Sequence, residues 1–193
     1  MAVTINASTS AGLVTSADTS GNLDLQAGGV TKIAVTSSGV AVTGLSKASL
    51  PTGSVLQVVN ATYSTLNNII STSYVDTGLT ATITPTSASS KILIIVTHCM
   101  ELYKQASTES IFDIALLKSS SAISNLTVKA GATVASAGYY FMPYGGSFNY
   151  LDSPATTSAT TYKTQVKSDG GSGVLVNRAS TGTSTITLME IAA

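Results

Sequence analysis

The chain contains a single histidine and a single cysteine, His98 and Cys99, which are neighbours in the sequence. A cysteine nucleophile needs a histidine base within hydrogen-bond reach, about 3 Å. The apolar pattern around both residues predicts a β-strand, in which consecutive side chains point to opposite faces of the sheet. We therefore predict that the two side chains do not pair, that Cys99 is structural, and that His98 lies at the surface or in an interface.

The acidic residues offer little support for hydrolytic chemistry. Glycoside cleavage uses two carboxylates that flank the scissile bond, but the nine Asp and Glu residues are spread thinly along the chain. Glu101 and Asp113 are the best pair, because they lie on predicted strands that could be neighbours. The sequence has no nucleotide-binding loop and no serine-hydrolase motif. We expect a protein that is not an enzyme, with no catalytic residue, cofactor or metal.

Aromatic residues are concentrated between Tyr139 and Tyr150, a stretch that holds six of the eleven aromatic side chains. Exposed rings could stack on sugars, which would make this stretch a receptor-binding surface for a glycan. Four residues are the candidate receptor contacts: Tyr144, Phe148, Asn149 and Tyr150. Gly145-Gly146 between them is typical of a hairpin tip. The favoured alternative is that the rings fill the protein core or a subunit interface, where aromatic side chains contribute most.

Charge is scarce, since nine basic residues balance nine acidic ones and only 9% of residues are charged, compared with about 25% in typical soluble domains. The basic residues are scattered singly, whereas nucleic-acid binding requires clustered Lys and Arg. The longest apolar run, Ile92 to Val96, is far shorter than the roughly 20 residues that span a bilayer. The N-terminus lacks the features of a signal peptide. We expect no nucleic-acid partner, no membrane insertion and no ordinary secretion.

The ordered stretches are rich in Thr, Val, Ile and Tyr and are separated by Gly and Ser, which indicates an all-β fold. A weak further strand is expected at 124–129. The main predicted strands of the C-terminal region are 55–60, 80–84, 91–103, 110–118, 139–150, 160–167, 173–178 and 183–191. This number and spacing predict an antiparallel β-sandwich of the jelly-roll kind. Ile92 to Val96 is apolar on both faces, so its outer face needs a cover, either another subunit or a neighbouring sheet.

Residues 1 to about 48 differ from the rest, because they contain no aromatic residue and only short alternating apolar pairs. The pairs are Leu23/Leu25, Ile33/Val35 and Val40/Val42. Ordering the backbone costs about 1 to 2 kcal/mol per residue, which a few buried Leu and Val side chains cannot offset in one chain. The regular alternation favours a trimer of intertwined chains with these six residues at its interface. A disordered Ser/Thr-rich arm is the alternative.

The N-terminal segment resembles the shaft repeats of phage tail and head fibres, in which a polar-Gly step precedes short alternating strands that end near a Thr-Gly pair. Gly21, Gly39 and Thr43-Gly44 carry this resemblance. Residues 46–53, with Pro51 and Gly53, are typical of a linker. We therefore expect a stalk over residues 1–50 and a knob over residues 51–193.

Three segments of the C-terminal region resemble the knob domain of phage fibre-type proteins, namely Thr77 to Ile94, Thr160 to Ser168 and Ser184 to Ile191. Such knobs are jelly rolls similar in outline to the trimeric heads of the complement-C1q and tumour-necrosis-factor proteins. The resemblance implies a homotrimer whose last strand lies near the three-fold axis. The apolar residues of that strand would then belong to the trimer interface: Ile186, Leu188 and Ile191.

These observations lead to the hypothesis of a bacteriophage virion protein, a trimeric fibre or spike that projects from the head or tail. The stalk would attach to other virion proteins, and the knob would contact a host surface glycan through three weak identical sites. Such a protein would assemble in the host cytoplasm and be exposed on the particle surface. One alternative is a capsid decoration or tail-adaptor protein without receptor binding. Another is a secreted bacterial adhesin or lectin-like module.

Overall fold

The computed structural model describes residues 23–27, 29–43, 50–104, 110–130, 140–168, 172–177 and 182–193. The chain divides into two compact units, Met1–Ser49 and Leu50–Ala193, which we call the N-terminal unit and the knob. Residues 46–49 of the predicted linker lie outside the described part. Every regular element in the described part is a β-strand, so the all-β prediction is confirmed.

The described residues of the N-terminal unit form a three-stranded antiparallel sheet in the order β1-β2-β3. Its strands are β1 (Leu23–Ala27), β2 (Val30–Thr36) and β3 (Gly39–Val42). Gly29, at φ +77°, turns the chain between the first two strands. This backbone conformation is open to glycine at little cost.

The described residues of the knob form ten strands, of which all but one overlap a predicted strand. Their bounds are β4 (Val55–Tyr63), β5 (Asn67–Ile69), β6 (Val75–Ile83), β7 (Lys91–Lys104), β8 (Ser110–Lys118), β9 (Ser121–Ala130), β10 (Tyr140–Asp152), β11 (Thr160–Ser168), β12 (Ser172–Val176) and β13 (Ser184–Ile191). The exception is β5, which is too short to leave a period-two pattern in the sequence.

The knob strands form two antiparallel sheets that pack face to face. The first sheet has the long strands in the order β4-β13-β7-β10, and β12 and β5 extend it beyond β13 and β4. The second sheet has the order β6-β11-β8-β9. Among the long strands, every connection except the β8–β9 hairpin crosses from one sheet to the other. Eight strands connected in this way form a jelly-roll sandwich.

The core lies between the two sheets and is built by strict alternation of side chains. Burial alternates residue by residue along β6, β11 and β13. Ile92, Ile94 and Val96 of β7 point inward and pack against strands of both sheets. A second cluster at the other end contains Met100, Phe112 and Val176 among others. Each fully buried side chain of this size contributes roughly 1.5 to 3 kcal/mol to folding.

Two predictions about the last strand are corrected by this packing. Ile186 and Leu188 are fully buried in the core of a single chain, with 0% exposure, so they are not interface residues. The physical reason is that β13 is an internal strand, hydrogen-bonded to β4 on one side and to β7 on the other. Its inward face therefore fills the sandwich, and only its outward face is available to a partner. Ile191 lies on that outward face and is half-buried.

The predicted hairpin tip at Gly145-Gly146 is also wrong. Strand β10 runs without interruption from Tyr140 to Asp152, and these two glycines pair with Cys99 and His98 of β7. The continuous ladder of backbone hydrogen bonds to β7 keeps the chain extended, although a Gly-Gly pair would permit a turn.

Gly78 allows close contact between the two sheets. It has φ +92°, and a Cβ atom at this position would overlap the ring of Tyr63 on β4. Gly53 has a similar φ of +88°, but a Cβ atom there would meet no atom within 4 Å. The two glycines therefore share a backbone conformation and differ in the space around them.

We expect Gly78→Ala to lower the free energy of unfolding by about 2 to 4 kcal/mol, because it combines an unfavourable φ with overpacking against Tyr63. Gly53→Ala should lose only about 1 to 2 kcal/mol, from the backbone alone. Urea denaturation of both variants measures the difference. Equal losses would show that the contact with Tyr63 is unimportant.

Candidate functional site

The predicted receptor contacts on β10 divide between the two faces of the first sheet. Phe148 and Tyr150 pair in register with Val96 and Ile94, and both rings are partly buried against the core. This placement agrees with the alternative that the two rings pack against the core, and each ring keeps part of its surface exposed. Asn149 lies on the opposite, outer face and is exposed. The side chain of the fourth candidate, Tyr144, lies outside the described residues.

The outer face of the first sheet carries an apolar surface that no described part of the chain covers. A continuous row crosses four strands, from Val58 to Met189, Leu93 and Leu151. Val58 and Leu151 are 55% and 52% exposed. Ile95 of β7 lies beside this row, two residues along the strand from Leu93. We call Val58, Met189, Leu93, Leu151 and Ile95, together with Val55 and Ile191, the knob apolar face.

An apolar outer face is unusual in an antiparallel sandwich, since such sheets usually present alternating polar side chains to water. Contiguous exposed apolar surface of this kind marks interaction sites. Ile191 pairs with the exposed Val55 at the edge of the knob apolar face. It is the one predicted interface residue of the last strand that the structure places at the surface.

The N-terminal sheet has a second apolar face, formed by all six of the residues predicted from the alternation. One row across the sheet is Leu23–Val35–Val40, and the next is Leu25–Ile33–Val42. Side chains that pair across neighbouring strands point to the same face, so the six lie together. Five of them are exposed, Val40 the most at 66%. We call this surface the N-terminal apolar face.

The outer face of the second sheet is polar in contrast. Asp76 accepts hydrogen bonds from Lys163 and Gln165 at 2.9 and 2.7 Å. Further along, Lys167 and Asp113 form an ion pair at 3.1 Å. Hydroxyl groups and paired charges of this kind are well solvated, so this face can remain in contact with water.

His98 is part of a buried polar cluster rather than a surface residue, which corrects its predicted position. It is 1% exposed, because its inward-facing position on β7 lies between the sheets. Its Nδ1 lies 3.1 Å from the Ser184 hydroxyl and its Nε2 lies 3.0 Å from the Thr164 hydroxyl. Ser184 donates a hydrogen bond to Asn177, and Thr164 pairs with Thr77 at 2.6 Å.

Cys99 points to the opposite face from His98, as the strand geometry predicted, and is half-buried. The His98 cluster is enclosed, so an external substrate does not reach it. Burial lowers the pKa of His98 from 6.5 to about 4. The ring is therefore neutral at pH 7 and can accept one hydrogen bond and donate another.

Glu190 is a buried carboxylate on β13 that joins this strand to β4 and to the connection between β6 and β7. It accepts hydrogen bonds from the Gln57 side chain and from both the backbone and the side chain of Thr86, at 2.6 to 2.7 Å. Burial alone would raise the pKa of Glu190, but the hydrogen bonds outweigh this effect and lower it to about 2. The geometry indicates a structural role, because its oxygens are occupied by the chain itself.

No arrangement of catalytic residues is found in the described part of the chain. The predicted carboxylate pair is not formed, because Glu101 is on β7 of the first sheet and Asp113 is on β8 of the second. Within the described ranges, no three His, Cys, Asp or Glu residues gather where they could hold a metal ion. The described residues also include no helix of the length and apolarity needed to cross a membrane.

No protein-family model and no curated protein matches the chain. Among solved structures, it is similar to the VP2 subviral particle of infectious bursal disease virus, with 12% identity and a TM-score of 0.33. That match covers 79% of this chain and 48% of the other. A second is the T13 particle of the same virus, with 12% identity, 79% and 40% coverage and a TM-score of 0.30. The chain spans less than half the length of these structures.

The pKa of His98 predicts how stability depends on pH. The pKa is lower in the folded state, so the unfolded chain binds more protons between pH 6.5 and about 4, and stability falls as the pH decreases through this range. Between pH 7.5 and pH 5 we expect a loss of about 2 kcal/mol, measured by urea denaturation. In His98→Gln this pH dependence should disappear. A wild-type unfolding free energy that is constant over the range would contradict the assignment.

Proposed function

We propose that the chain is a structural protein of a bacteriophage particle, a homotrimeric fibre or spike that projects from the head or tail. The observation that carries the proposal is the presence of two uncovered apolar faces, one in the N-terminal unit and one in the knob. Each of the two units therefore has an apolar face that association with other copies would bury. The jelly-roll strand order of the knob agrees with the phage fibre-type resemblance of its three sequence segments.

The N-terminal unit needs partners for its stability. Within its described residues it is a three-stranded sheet with one apolar face and no second layer, so it has little buried surface to offset its backbone entropy. Rows Leu23–Val35–Val40 and Leu25–Ile33–Val42 would be buried if three copies met around an axis. Closed symmetric assembly also prevents open-ended aggregation through these faces.

The knob also supports association between copies, because the outer face of its first sheet is apolar and the outer face of its second sheet is polar. The first sheet presents Leu93, Ile95 and Leu151 to its surroundings, whereas the second presents paired charges and hydroxyl groups. A trimer with the first sheets inward would bury the knob apolar face and expose the polar one. Met189 and Ile191 of the last strand would then lie near the three-fold axis, instead of Ile186 and Leu188.

Attachment to a host surface is the second part of the proposal. In a trimer the polar outer faces of three second sheets would point away from the axis. Three identical weak sites would then bind a glycan-covered surface with high avidity. The N-terminal unit would contact other virion proteins. The inward position of Phe148 and Tyr150 favours one alternative, a decoration protein without receptor binding, unless another surface of the knob supplies the contact.

The oligomeric state tests the proposal. Light scattering of the full chain should give a mass three times the 19.5 kDa of one chain. Leu93→Glu and Val35→Glu should each weaken the trimer at micromolar concentration, because each places a charge in an apolar interface. Thr82→Glu, on the polar face of the second sheet, is the matched control and should leave the trimer intact. A stable monomer for the unmodified chain would overturn the trimeric proposal.

A further inference from the structure

A cleft of about 210 Å³ opens on the outer side of the second sheet. It lies where the ends of β8 and β11 meet the connection between β5 and β6. Six residues line it: Thr72, Ile111, Phe112, Asp113, Lys167 and Ser168. Its volume is below the roughly 300 to 1,000 Å³ of pockets that take drug-sized ligands. It therefore suits a small group such as a single sugar ring.

The cleft combines a cation, a carboxylate and an apolar wall. Lys167 and Asp113 are cross-strand partners in register, and the ammonium lies 3.1 Å from Asp113 Oδ2. The ammonium also lies 4.9 Å from the centre of the Tyr74 ring, which fixes its position from a second side. Ile111, two residues before Asp113 on the same outer face of β8, supplies apolar surface.

Asp113 differs from the other paired carboxylate of this face, Asp76. Both oxygens of Asp76 are occupied by Lys163 and Gln165. Asp113 is the more enclosed of the two, with a side chain that is 20% exposed against 54% for Asp76, and its carboxylate accepts hydrogen bonds from Thr127 and Lys167. A carboxylate can accept about four hydrogen bonds, so Asp113 Oδ2 keeps acceptor capacity beside Lys167.

The remaining wall of the cleft is held in place by hydrogen bonds. Ser168 at the end of β11 donates its backbone N–H to the Ser71 carbonyl at 2.7 Å. The Ser71 hydroxyl bonds to the Ser73 carbonyl and accepts from the Ser73 N–H, at 2.8 and 3.1 Å. These bonds hold the residues on either side of Thr72. A preformed wall reduces the entropy cost of binding.

We propose that this cleft binds one saccharide ring of a surface glycan through two adjacent hydroxyl groups. One hydroxyl donates to Asp113 Oδ2, the neighbouring hydroxyl oxygen accepts from the Lys167 ammonium, and the C–H face of the ring contacts Ile111. The side-by-side cation and carboxylate match the donor and acceptor character of a vicinal diol. The inference rests on the proposed attachment function and moves the receptor contact from β10 to the second sheet.

The test is saturation-transfer NMR of the full chain with six neutral monosaccharides: glucose, galactose, mannose, rhamnose, N-acetylglucosamine and N-acetylgalactosamine. We expect a signal from at least one sugar, with Asp113→Asn and Lys167→Met each weakening its binding by tenfold or more. The matched controls Asp76→Asn and Lys163→Met alter the neighbouring ion pair and should bind the sugar like the unmodified chain. Thermal denaturation of each variant verifies that it is folded.

The outcomes separate this inference from the proposed function. Absence of a signal with every sugar, or a signal that survives both Asp113→Asn and Lys167→Met, would overturn the cleft assignment. Either result is independent of the trimer, which light scattering measures on the same samples. A trimeric protein without sugar binding would support the decoration alternative, whereas a monomeric protein that binds sugar through Asp113 would keep the cleft and remove the fibre.

Discussion

The period-two geometry of the β-strand is the constraint on which the rest of this structure depends. Each long strand of the knob gives one set of alternating side chains to the space between the sheets, and the other set necessarily points outward. Where a strand is apolar at every position, as in Ile92 to Val96, one half of it cannot enter the core of the same chain. Leu93 and Ile95 are therefore left on the outside by geometry, and a second molecule is the natural means of burying them.

The core itself is not purely apolar, and its polar parts connect elements that are distant in sequence. The cluster around His98 joins β7, β11, β13 and the residue after β12 through Ser184, Thr164 and Asn177. Glu190 similarly ties the last strand to β4 and to the connection before β7. Because an unpaired polar group in such surroundings costs about 1 to 3 kcal/mol, these bonds favour a single register of the sheets over alternatives.

The two units expose apolar surface for different reasons. The N-terminal sheet has one apolar face, and within the described residues 23–27 and 29–43 no second layer packs on it. The knob has a core between its two sheets and presents a further apolar surface on the outside of the first sheet. The buried clusters of the knob form within one chain, whereas the described residues of the N-terminal sheet include no comparable core.

Much of the architecture follows from residue patterns. The predicted strands overlap all of the observed knob strands except β5, and the alternation in residues 23–42 identified the six residues that share one face of the N-terminal sheet. Short-range pattern was enough here because both the period of a strand and the pairing of adjacent strands in a small antiparallel sheet are local properties.

The inward or outward direction of an apolar strand is decided by its neighbours, and these are distant in the chain. Ile186 and Leu188 could have faced a partner, and Phe148 and Tyr150 a receptor, until the register with β7 placed all four inward. The Lys167–Asp113 cleft is lined by residues from three separate segments of the chain, so no contiguous sequence motif predicts it. Composition and periodicity determined that the chain is an all-β protein with more apolar strand positions than one core can bury. Tertiary structure decided where the remaining apolar surface lies, because strand register is a long-range property.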